Sequence, residues 1–323
     1  MKELRIDAIT NDIIVFATDR SKRPRDTVKK PELYTEIYKA KHEYEEKCPF
    51  CVGNESVADK STDEVRDENG WIARSVLNKY PILDMESNDI FGVHEVLIEN
   101  YKHDATFYNM TEEEFKAMFK LIISRYKDLS SREGIEYVLL FKNFLKKAGA
   151  SLMHPHSQIM SMSLVPPEVE NELLIAENYY NINSSNLYDD IVEEEIKLDK
   201  RILYKGKKFT VLVPYASKNP GEIRIIFGNG VKLENMNEDD VSELSYVFKR
   251  LFKNFEKLYG FIPFNICFHT NPVELDTEKY FNMHMHIFPR KFNFGGFELG
   301  SDMYVCSTIP ERTADVLKIK DRK

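Results

Sequence analysis

The sequence predicts an α+β protein that consists of two tandem halves, with mainly antiparallel sheets flanked by helices. The leading observation is a pair of histidine doublets, His154-Pro155-His156 and His284-Met285-His286, which lie 130 positions apart. Alternate residues of a strand point to the same face, so each doublet places two imidazoles on one surface. The segments before each doublet also follow the same order, which indicates a duplicated α+β unit.

Each half begins with a strand-like segment that follows a glycine, over residues 92–100 in the first half and 221–229 in the second. A helix comes next in both halves. Thr111 and Glu114 have the spacing of a capping box, and Asn237 is the expected N-cap of the second helix. Apolar residues at helical spacing follow each cap. A second strand, over residues 135–141 and 261–268, then leads to the doublet.

These repeats divide the chain into three parts. We expect a first half over residues 1–165, a connecting helix and loop over residues 166–200, and a second half over residues 201–323. The connecting part is acidic and polar, and we expect it to join the halves without forming a domain of its own.

Composition excludes several classes of protein. The 323 residues are 42% hydrophobic and 30% charged, which is typical of a soluble globular protein. No apolar run has membrane-spanning length and the first residues do not resemble a signal peptide, so we expect a cytoplasmic protein without a membrane partner. The formal net charge of −8 argues against nucleic-acid binding, although a small anionic substrate is compatible with local basic residues.

Four cysteines are too few for a disulfide framework in a chain of this length. Two of them form the motif Cys48-Pro49-Phe50-Cys51, in which both thiolates can reach one zinc ion from a tight turn. The alternatives are a redox pair, for which the expected βαβ context is missing, and two buried thiols. A zinc site needs two more ligands, and the residue types leave four candidates open: His42, His94, His103 and His154.

Several motifs together resemble the galactose-1-phosphate uridylyltransferase family, the transferase branch of the histidine-triad superfamily. They are Cys48-Pro-Phe-Cys51-Val-Gly-Asn-Glu55, Gly92-Val-His-Glu-Val96, His103, Asn143, Gly149, Ser151 and His154-Pro-His156-Ser-Gln158. The resemblance covers nearly the whole chain. It implies two tandem histidine-triad-like halves and a homodimer in which the neighbouring subunit supplies part of the sugar site.

The resemblance also implies two metal sites. Carried over residue by residue, a structural zinc site falls on Cys48, Cys51, His103 and His154, which selects His103 over His94. A second metal, iron or zinc, falls on Glu172, His269, His284 and His286. The alternative for the second doublet is a relic of a duplicated active site whose histidines only hydrogen-bond.

The chemistry implied by the resemblance centres on His156. A neutral imidazole can attack an activated phosphodiester near pH 7 without first losing a proton. A backbone carbonyl at Nδ1 could direct Nε2 of His156 to the substrate. Gln158 stands where hydrolases of the superfamily have a third histidine, which indicates a transferase because an amide cannot titrate. Ser151 matches a residue that contacts the phosphates.

Further positions match substrate-binding residues of the family. Arg20 and Arg23 match an arginine segment that reaches the phosphates, for which guanidinium groups are suited. Lys146 and Lys147, just before the motif, could add positive potential, but their simpler interpretation is solvated surface lysines. The remaining matched positions are Asn78, Asn143, Gly149 and Glu298. The stretch around Glu298 departs from the family pattern, because Phe297 replaces the usual tyrosine. It is more similar to divergent members that act on ADP-glucose.

The expected activity is transfer of a nucleoside monophosphate between sugar 1-phosphates, by a ping-pong mechanism through a nucleotidyl-His156 intermediate. The expected partners are therefore a nucleotide sugar and a sugar 1-phosphate. One alternative is an ADP-glucose phosphorylase, an adenylyltransferase or a nucleotide-sugar hydrolase. Another is a zinc-stabilised nucleotide-binding protein without catalytic activity.

Overall fold

The computed structural model describes residues 2–22, 42–291 and 293–320, and it confirms the predicted α+β fold. Its thirteen described strands, numbered in chain order, form a sheet of three strands and a sheet of ten. They are β1 (Lys2–Ile6), β2 (Ile13–Ala17), β3 (Ser61–Asp67), β4 (Gly70–Leu77), β5 (His94–Ile98), β6 (Tyr137–Phe144), β7 (His156–Met162), β8 (Ile202–Lys205), β9 (Phe209–Leu212), β10 (Ile223–Phe227), β11 (Phe264–His269), β12 (His284–Pro289) and β13 (Met303–Cys306).

The α-helices of the described residues lie between these strands and after the last of them. They are α1 (Glu112–Ser130), α2 (Pro167–Asn183), α3 (Leu187–Leu198), α4 (Glu238–Tyr259), α5 (Gly296–Ser301) and α6 (Pro310–Leu317). Short 3-10 helices occupy Thr18–Lys22, Lys146–Ala148 and Leu233–Asn235. No helix among the described residues has the length and apolar character needed to cross a membrane.

The large sheet shows the duplication directly. Its order is β3-β4-β5-β7-β6-β11-β12-β10-β9-β8, so the five strands of the first half are repeated, in mirrored order, by the five strands of the second. The halves meet where β6 pairs antiparallel with β11. All pairs in this sheet are antiparallel. One continuous sheet therefore carries His156 at the start of β7, two residues after His154, and the second doublet at the start of β12.

Helices α1 and α4 cover one face of the sheet. The predicted capping box of Thr111 and Glu114 begins α1. The predicted N-cap Asn237 begins α4, where it also forms a capping box with Asp240. The apolar sides of both helices pack into one core with the strands. That core contains Phe107, whose ring contacts those of Phe115, Phe248, Phe252 and Phe264.

Helices α2 and α3 cover the other face of the sheet, where they pack on strands of both halves. Val169 and Ala176 of α2 and Tyr188 of α3 are buried against strand residues that include Met160 and Ile226. The segment between the halves thus forms two helices where the sequence predicts a helix and a loop. Ser184, with a φ of 56°, ends α2, and Asn186 caps α3. This packing places α2 directly over the second doublet.

Candidate active site and metal centres

Two cysteines and two histidines converge at the edge of the first half. The ligand atoms of Cys48, Cys51, His103 and His154 all lie within 4.8 Å of one another. His154 Nδ1 is 3.7 Å from Cys48 Sγ and 3.6 Å from Cys51 Sγ, and His103 Nδ1 is 3.5 Å from Cys51 Sγ. The structure therefore brings together the four residues that the resemblance selects.

These distances fit a tetrahedral zinc ion. With Zn–S near 2.3 Å and Zn–N near 2.0–2.1 Å, a sulfur and a nitrogen on one tetrahedron are separated by about 3.6 Å. Burial raises the pKa of the Cys48 thiol to about 11. A bound cation would stabilise the thiolate that burial disfavours.

Local hydrogen bonds hold the ligands in place. Asn54 Nδ2 donates to the carbonyl oxygen of Cys48 at 2.8 Å, and the N–H of Asn54 donates to that of Cys51 at 3.0 Å. His154 donates from Nε2 to the carbonyl oxygen of Asn100 at 2.8 Å. That bond fixes the tautomer with a lone pair on Nδ1, the nitrogen that faces the thiols.

His156 begins β7, two residues after the ligand His154. Its Nδ1–H donates to the carbonyl oxygen of His154 at 2.8 Å, so Nε2 carries the lone pair. Burial lowers the pKa of His156 below its usual value, which favours the neutral ring. The ring is 8% exposed and lies 5.7 Å from that of Phe50. Its geometry is that of an oriented, neutral nitrogen nucleophile.

A buried ion pair supports the backbone of His156 from the opposite face of the sheet. Lys142 Nζ lies 2.5 Å from Glu99 Oε2 and donates to the carbonyl oxygen of His156 at 3.0 Å. Ser157 donates its hydroxyl to the same carboxylate. Glu99 is fully buried and Lys142 is nearly so. Neither residue is among those predicted from the sequence, although a lysine within the apolar strand β6 is a signal that points to a buried ion pair.

Gln158 lies on the same face of β7 as His156, and its amide is held by His94. His94 Nε2 lies 2.8 Å from Gln158 Oε1, and the backbone N–H of Ile82 donates to His94 Nδ1 at 3.1 Å. Asn78 Nδ2 lies 3.2 Å from His94 Nε2. His94 is therefore placed beside the predicted active-site residues Gln158 and Asn78, away from the cysteine group that it was first considered for.

Asn143 and Gly149 lie together at the end of β6. Asn265 Nδ2, on the neighbouring strand β11, donates to Asn143 Oδ1 at 2.7 Å and to the carbonyl oxygen of Ala148 at 2.8 Å. Gly149 has a φ of 97°, and a Cβ there would lie 3.4 Å from Asn143 Nδ2. Ser151 is exposed in the loop that follows. This loop leads directly into His154 and His156.

The remaining predicted substrate residues are Arg20, Arg23 and Glu298. Arg20 is exposed in the 3-10 helix after β2, and Arg23 lies outside the described residues. Glu298 accepts a hydrogen bond from the N–H of Gly295 at 2.8 Å and so caps the short helix α5. Within the described part of the chain, neither Arg20 nor Glu298 hydrogen-bonds to the side chains around His156.

The second doublet belongs to another group of four residues, which is fully enclosed. Glu172, His269, His284 and His286 also have their ligand atoms within 4.8 Å of one another. Helix α2 contributes the carboxylate, and β11 and β12 contribute the imidazoles. Glu172 Oε2 lies 2.8 Å from His269 Nδ1 and 3.4 Å from His284 Nε2. Burial alone would raise the pKa of Glu172, but His269 and His284 hold it below its usual value.

Unpartnered polar atoms in this group suit the binding of a cation. His284 Nδ1–H donates to the carbonyl oxygen of Asn282 at 2.9 Å, so its Nε2 presents a lone pair to the carboxylate. Within the described residues, Glu172 Oε1, His284 Nε2 and both ring nitrogens of His286 have no hydrogen-bond partner. Facing lone pairs repel unless a cation lies between them, and 3.4 Å is about the N···O edge of a tetrahedral site. Three imidazoles and a carboxylate suit zinc or iron.

Comparison with protein families divides the chain near its middle. Residues 28–165 match the N-terminal domain of a domain of unknown function (DUF4931). Residues 172–318 match the galactose-1-phosphate uridyl transferase, C-terminal domain. The second match includes the whole of the enclosed group around Glu172.

Individual proteins are similar over almost the full chain. An ADP-glucose phosphorylase from Arabidopsis thaliana is 26% identical over 98% of this chain and 92% of its own length. A galactose-1-phosphate uridylyltransferase from Thermotoga maritima is 24% identical over 98% of both chains. The crystal structure of an Arabidopsis thaliana ADP-glucose phosphorylase with bound ADP-glucose superposes with a TM-score of 0.85 and 25% identity, covering 100% of both chains. Fold, domain match and full-length similarity agree: the second half of the chain matches the C-terminal domain of galactose-1-phosphate uridyl transferase, and the whole chain is similar to nucleotidyltransferases of that kind and to an ADP-glucose phosphorylase.

Proposed function

We propose that this chain transfers a nucleoside monophosphate from a nucleotide sugar to a phosphate acceptor, through a covalent nucleotidyl-His156 intermediate. The observation that supports this most strongly is the 2.8 Å hydrogen bond from His156 Nδ1 to the carbonyl oxygen of His154. It leaves Nε2 as the nucleophilic nitrogen and fixes its direction. The carbonyl belongs to His154, which is held in turn in the group of Cys48, Cys51 and His103.

In the first step, the Nε2 lone pair of His156 attacks the α-phosphorus of the nucleotide sugar. A P–N bond forms, the bond from the α-phosphorus to the bridging oxygen breaks, and sugar 1-phosphate leaves with that electron pair. In the second step, an oxygen of the acceptor phosphate attacks the same phosphorus and His156 leaves as a neutral ring. Most of the rate enhancement in such a reaction comes from positioning the reactants and stabilising charge on the phosphoryl oxygens.

The other predicted residues assist these steps. Gln158 and Ser151 donate hydrogen bonds to phosphoryl oxygens, and Asn78, Asn143 and Gly149 shape the nucleotide and phosphate site. Arg20 and Arg23 neutralise phosphate charge.

Two metal ions would fix the positions of their ligands. Zinc would be held by Cys48, Cys51, His103 and His154, and a second metal by Glu172, His269, His284 and His286. A reducing compartment such as the cytoplasm fits this proposal, because the two cysteines must stay reduced to bind the first metal.

Labelling tests the proposed intermediate. Incubation with α-³²P-labelled UDP-glucose or ADP-glucose should leave acid-labile label on the protein, and added sugar 1-phosphate should remove it. His156→Gly should lose the label, because it removes the attacking nitrogen. His286→Gly, at the corresponding position of the second doublet, is the matched control and should keep the label per folded molecule. Persistent labelling of His156→Gly would refute the assignment.

The likeness to ADP-glucose phosphorylase favours a second candidate reaction. That relative covers the chain with 25% identity and a TM-score of 0.85. Phosphorolysis uses the same adduct, with inorganic phosphate in place of sugar 1-phosphate as the acceptor. A panel of UDP- and ADP-sugars with each acceptor separates the two reactions. Release of free nucleotide in water alone would indicate a hydrolase, and binding without turnover or adduct would indicate a non-catalytic protein.

We also propose a homodimer in which Glu298 acts in the site of the neighbouring subunit. Glu298 lies on helix α5, which has no buried residue, and within the described residues it makes no hydrogen bond to the His156 cluster of its own chain. Mixing His156→Gly protein with Glu298→Ala protein tests this arrangement. Mixed dimers contain one site with both residues intact, so activity should return after subunit exchange. No return of activity, with exchange verified by mass spectrometry, would contradict it.

A further inference from the structure

His94 is the first residue of β5 and is 4% exposed. Strand β5 pairs with β7, which carries His156 and Gln158, and Val96 lies opposite Gln158 in that pair. The ring of His94 therefore reaches Gln158 from the neighbouring strand. Its ring has one backbone contact, to the N–H of Ile82, and two side-chain contacts, to Gln158 Oε1 at 2.8 Å and to Asn78 Nδ2 at 3.2 Å.

The backbone contact determines the tautomer of His94. The N–H of Ile82 can only donate, so His94 Nδ1 must accept and must carry a lone pair. Burial lowers the pKa of His94, which favours a ring with a single proton. That proton is then on Nε2, and it is donated to Gln158 Oε1 at 2.8 Å.

This bond also determines which end of the Gln158 amide is free. The oxygen of the amide is engaged by His94, so the NH₂ group is the end presented on the side of His156. A flipped amide would place its two donors against the Nε2–H of His94, where neither group can accept. His94 thus makes the two orientations of Gln158 unequal in energy.

We infer that His94 is a positioning residue, which holds the Gln158 amide with its NH₂ group directed to the phosphoryl oxygens at His156. The inference rests on the proposed nucleotidyl transfer and adds a residue to it. A correctly oriented amide donates to the oxygens of the phosphorus under attack. A flipped amide presents a carbonyl oxygen to them and repels them.

A double-mutant cycle on the full-length, metal-loaded protein tests this inference. His94→Phe should lower the rate constant of adduct formation by about 10- to 100-fold with little change in KM, because misorientation acts in the transition state. In a Gln158→Ala background the same change should cost less than about 2-fold, since there is no amide left to orient. Equal costs in both backgrounds would overturn the inference. His94→Leu serves in the same cycle if phenylalanine prevents folding.

A conservative variant and a strand control complete the cycle. His94→Gln supplies one acceptor for Ile82 and one donor for Gln158, so its rate should return to within about 5-fold of the parent. A rate as low as that of His94→Phe would count against the inference. Met160 lies opposite His94 in the strand pair, and Met160→Leu should leave the rate unchanged.

One measurement is independent of activity. NMR of the ¹⁵N-histidine-labelled protein should find the proton of His94 on Nε2, in a hydrogen bond that is lost in Gln158→Ala. A proton on Nδ1 would overturn the inference whatever the enzyme catalyses. An absence of any adduct in the parent protein would instead count against the proposed function, so the two failures are distinguishable.

Discussion

The two histidine doublets have the same spacing on equivalent strands, but their surroundings differ. In the first doublet, each ring donates one hydrogen bond to a backbone carbonyl, and His156 keeps an oriented lone pair at Nε2. In the second, His286 has no hydrogen-bond partner on either nitrogen within the described residues. The role of a histidine therefore depends on the hydrogen bonds of its ring and on the residues packed against it, and not on its position in the strand alone.

Two features outside the doublets produce this difference. Helix α2 covers the second doublet and inserts Glu172 between the imidazoles, whereas the first doublet has no such carboxylate in its group of four. Two residues after the doublet, the first half has Gln158 and the second has Phe288. The ring of Phe288 stacks on His286 at 5.3 Å, with 13° between the planes. The surroundings of the first doublet thus suit the proposed nucleophile, and those of the second suit the proposed metal ligands.

The largest effect on stability is expected at the ion pair beneath the first doublet. Lys142→Met should lower the free energy of unfolding by about 3–5 kcal/mol, because Glu99 would be left buried and unpaired. Lys116→Met, at the partly exposed lysine that pairs with Glu113, is the control and should cost less than about 1 kcal/mol. Denaturant unfolding measures both. A double change with Glu99→Gln should recover most of the loss, and a cost below 1 kcal/mol in Lys142→Met would contradict the assignment.

The next largest effect is on the rate of adduct formation, which should depend on the Cys48 group and not on the Glu172 group. Cys48→Ser should lower the rate of adduct formation by at least about 100-fold, because it disturbs the group that anchors His154 and, through its carbonyl, His156. His286→Asn should change that rate by less than about 3-fold per folded molecule. Rapid-quench labelling and elemental analysis measure rate and metal content together. Equal losses of rate in the two variants would remove the distinction between the doublets.

The second group of ligands should contribute to stability, although it contributes little to the rate. His286→Asn should lose about one metal ion and lower the melting temperature by roughly 5–10 °C, since a ligand that binds only the folded state stabilises it. Differential scanning calorimetry with and without added zinc measures this shift. A variant that binds as much metal as the parent, or melts at the same temperature, would argue for hydrogen-bonded histidines without a metal.

Proton release gives the smallest and most specific signal. Because burial raises the pKa of Cys48 to about 11, this thiol is protonated at pH 8 and must lose its proton when zinc binds. Metal-free His286→Asn, which keeps the first group, should release about one proton or more per zinc. In metal-free Cys48→Ser, the pKa values of Glu172, His284 and His286 are lowered, whereas Glu172 raises the pKa of His269. Zinc should therefore displace at most the proton of His269, and this release should fade as the pH rises, unlike the release from Cys48. An indicator dye in weak buffer follows both reactions.

Much of this arrangement could be predicted from the sequence. Spacing and order predicted the duplicated α+β fold and the capped helices, and the motifs led to the family. The choice of His103 over His94 came from the resemblance, and in the structure His103 is the one that joins the cysteines. The boundaries at residues 165 and 201, the roles of the site residues and the dimer stay predictions.

The missed features depend on contacts between distant segments. The link from Ile82 through His94 to Gln158 joins a loop and two strands, and no local pattern encodes it. The ion pair of Glu99 with Lys142 likewise joins residues 43 positions apart. The cover of the second doublet by α2 depends on how the connecting segment packs. Sequence patterns report local periodicity, whereas these features follow from strand pairing and tertiary packing.

The site of the covalent adduct tests the central claim most directly. The protein is mixed with a nucleotide sugar, quenched at high pH where a phosphoramidate is stable, digested and analysed by tandem mass spectrometry. The account predicts a nucleoside monophosphate on His156 and an unmodified peptide around His284 and His286. An adduct on the second doublet, or turnover with retained exchange in His156→Gly, would contradict the division of roles between the two doublets.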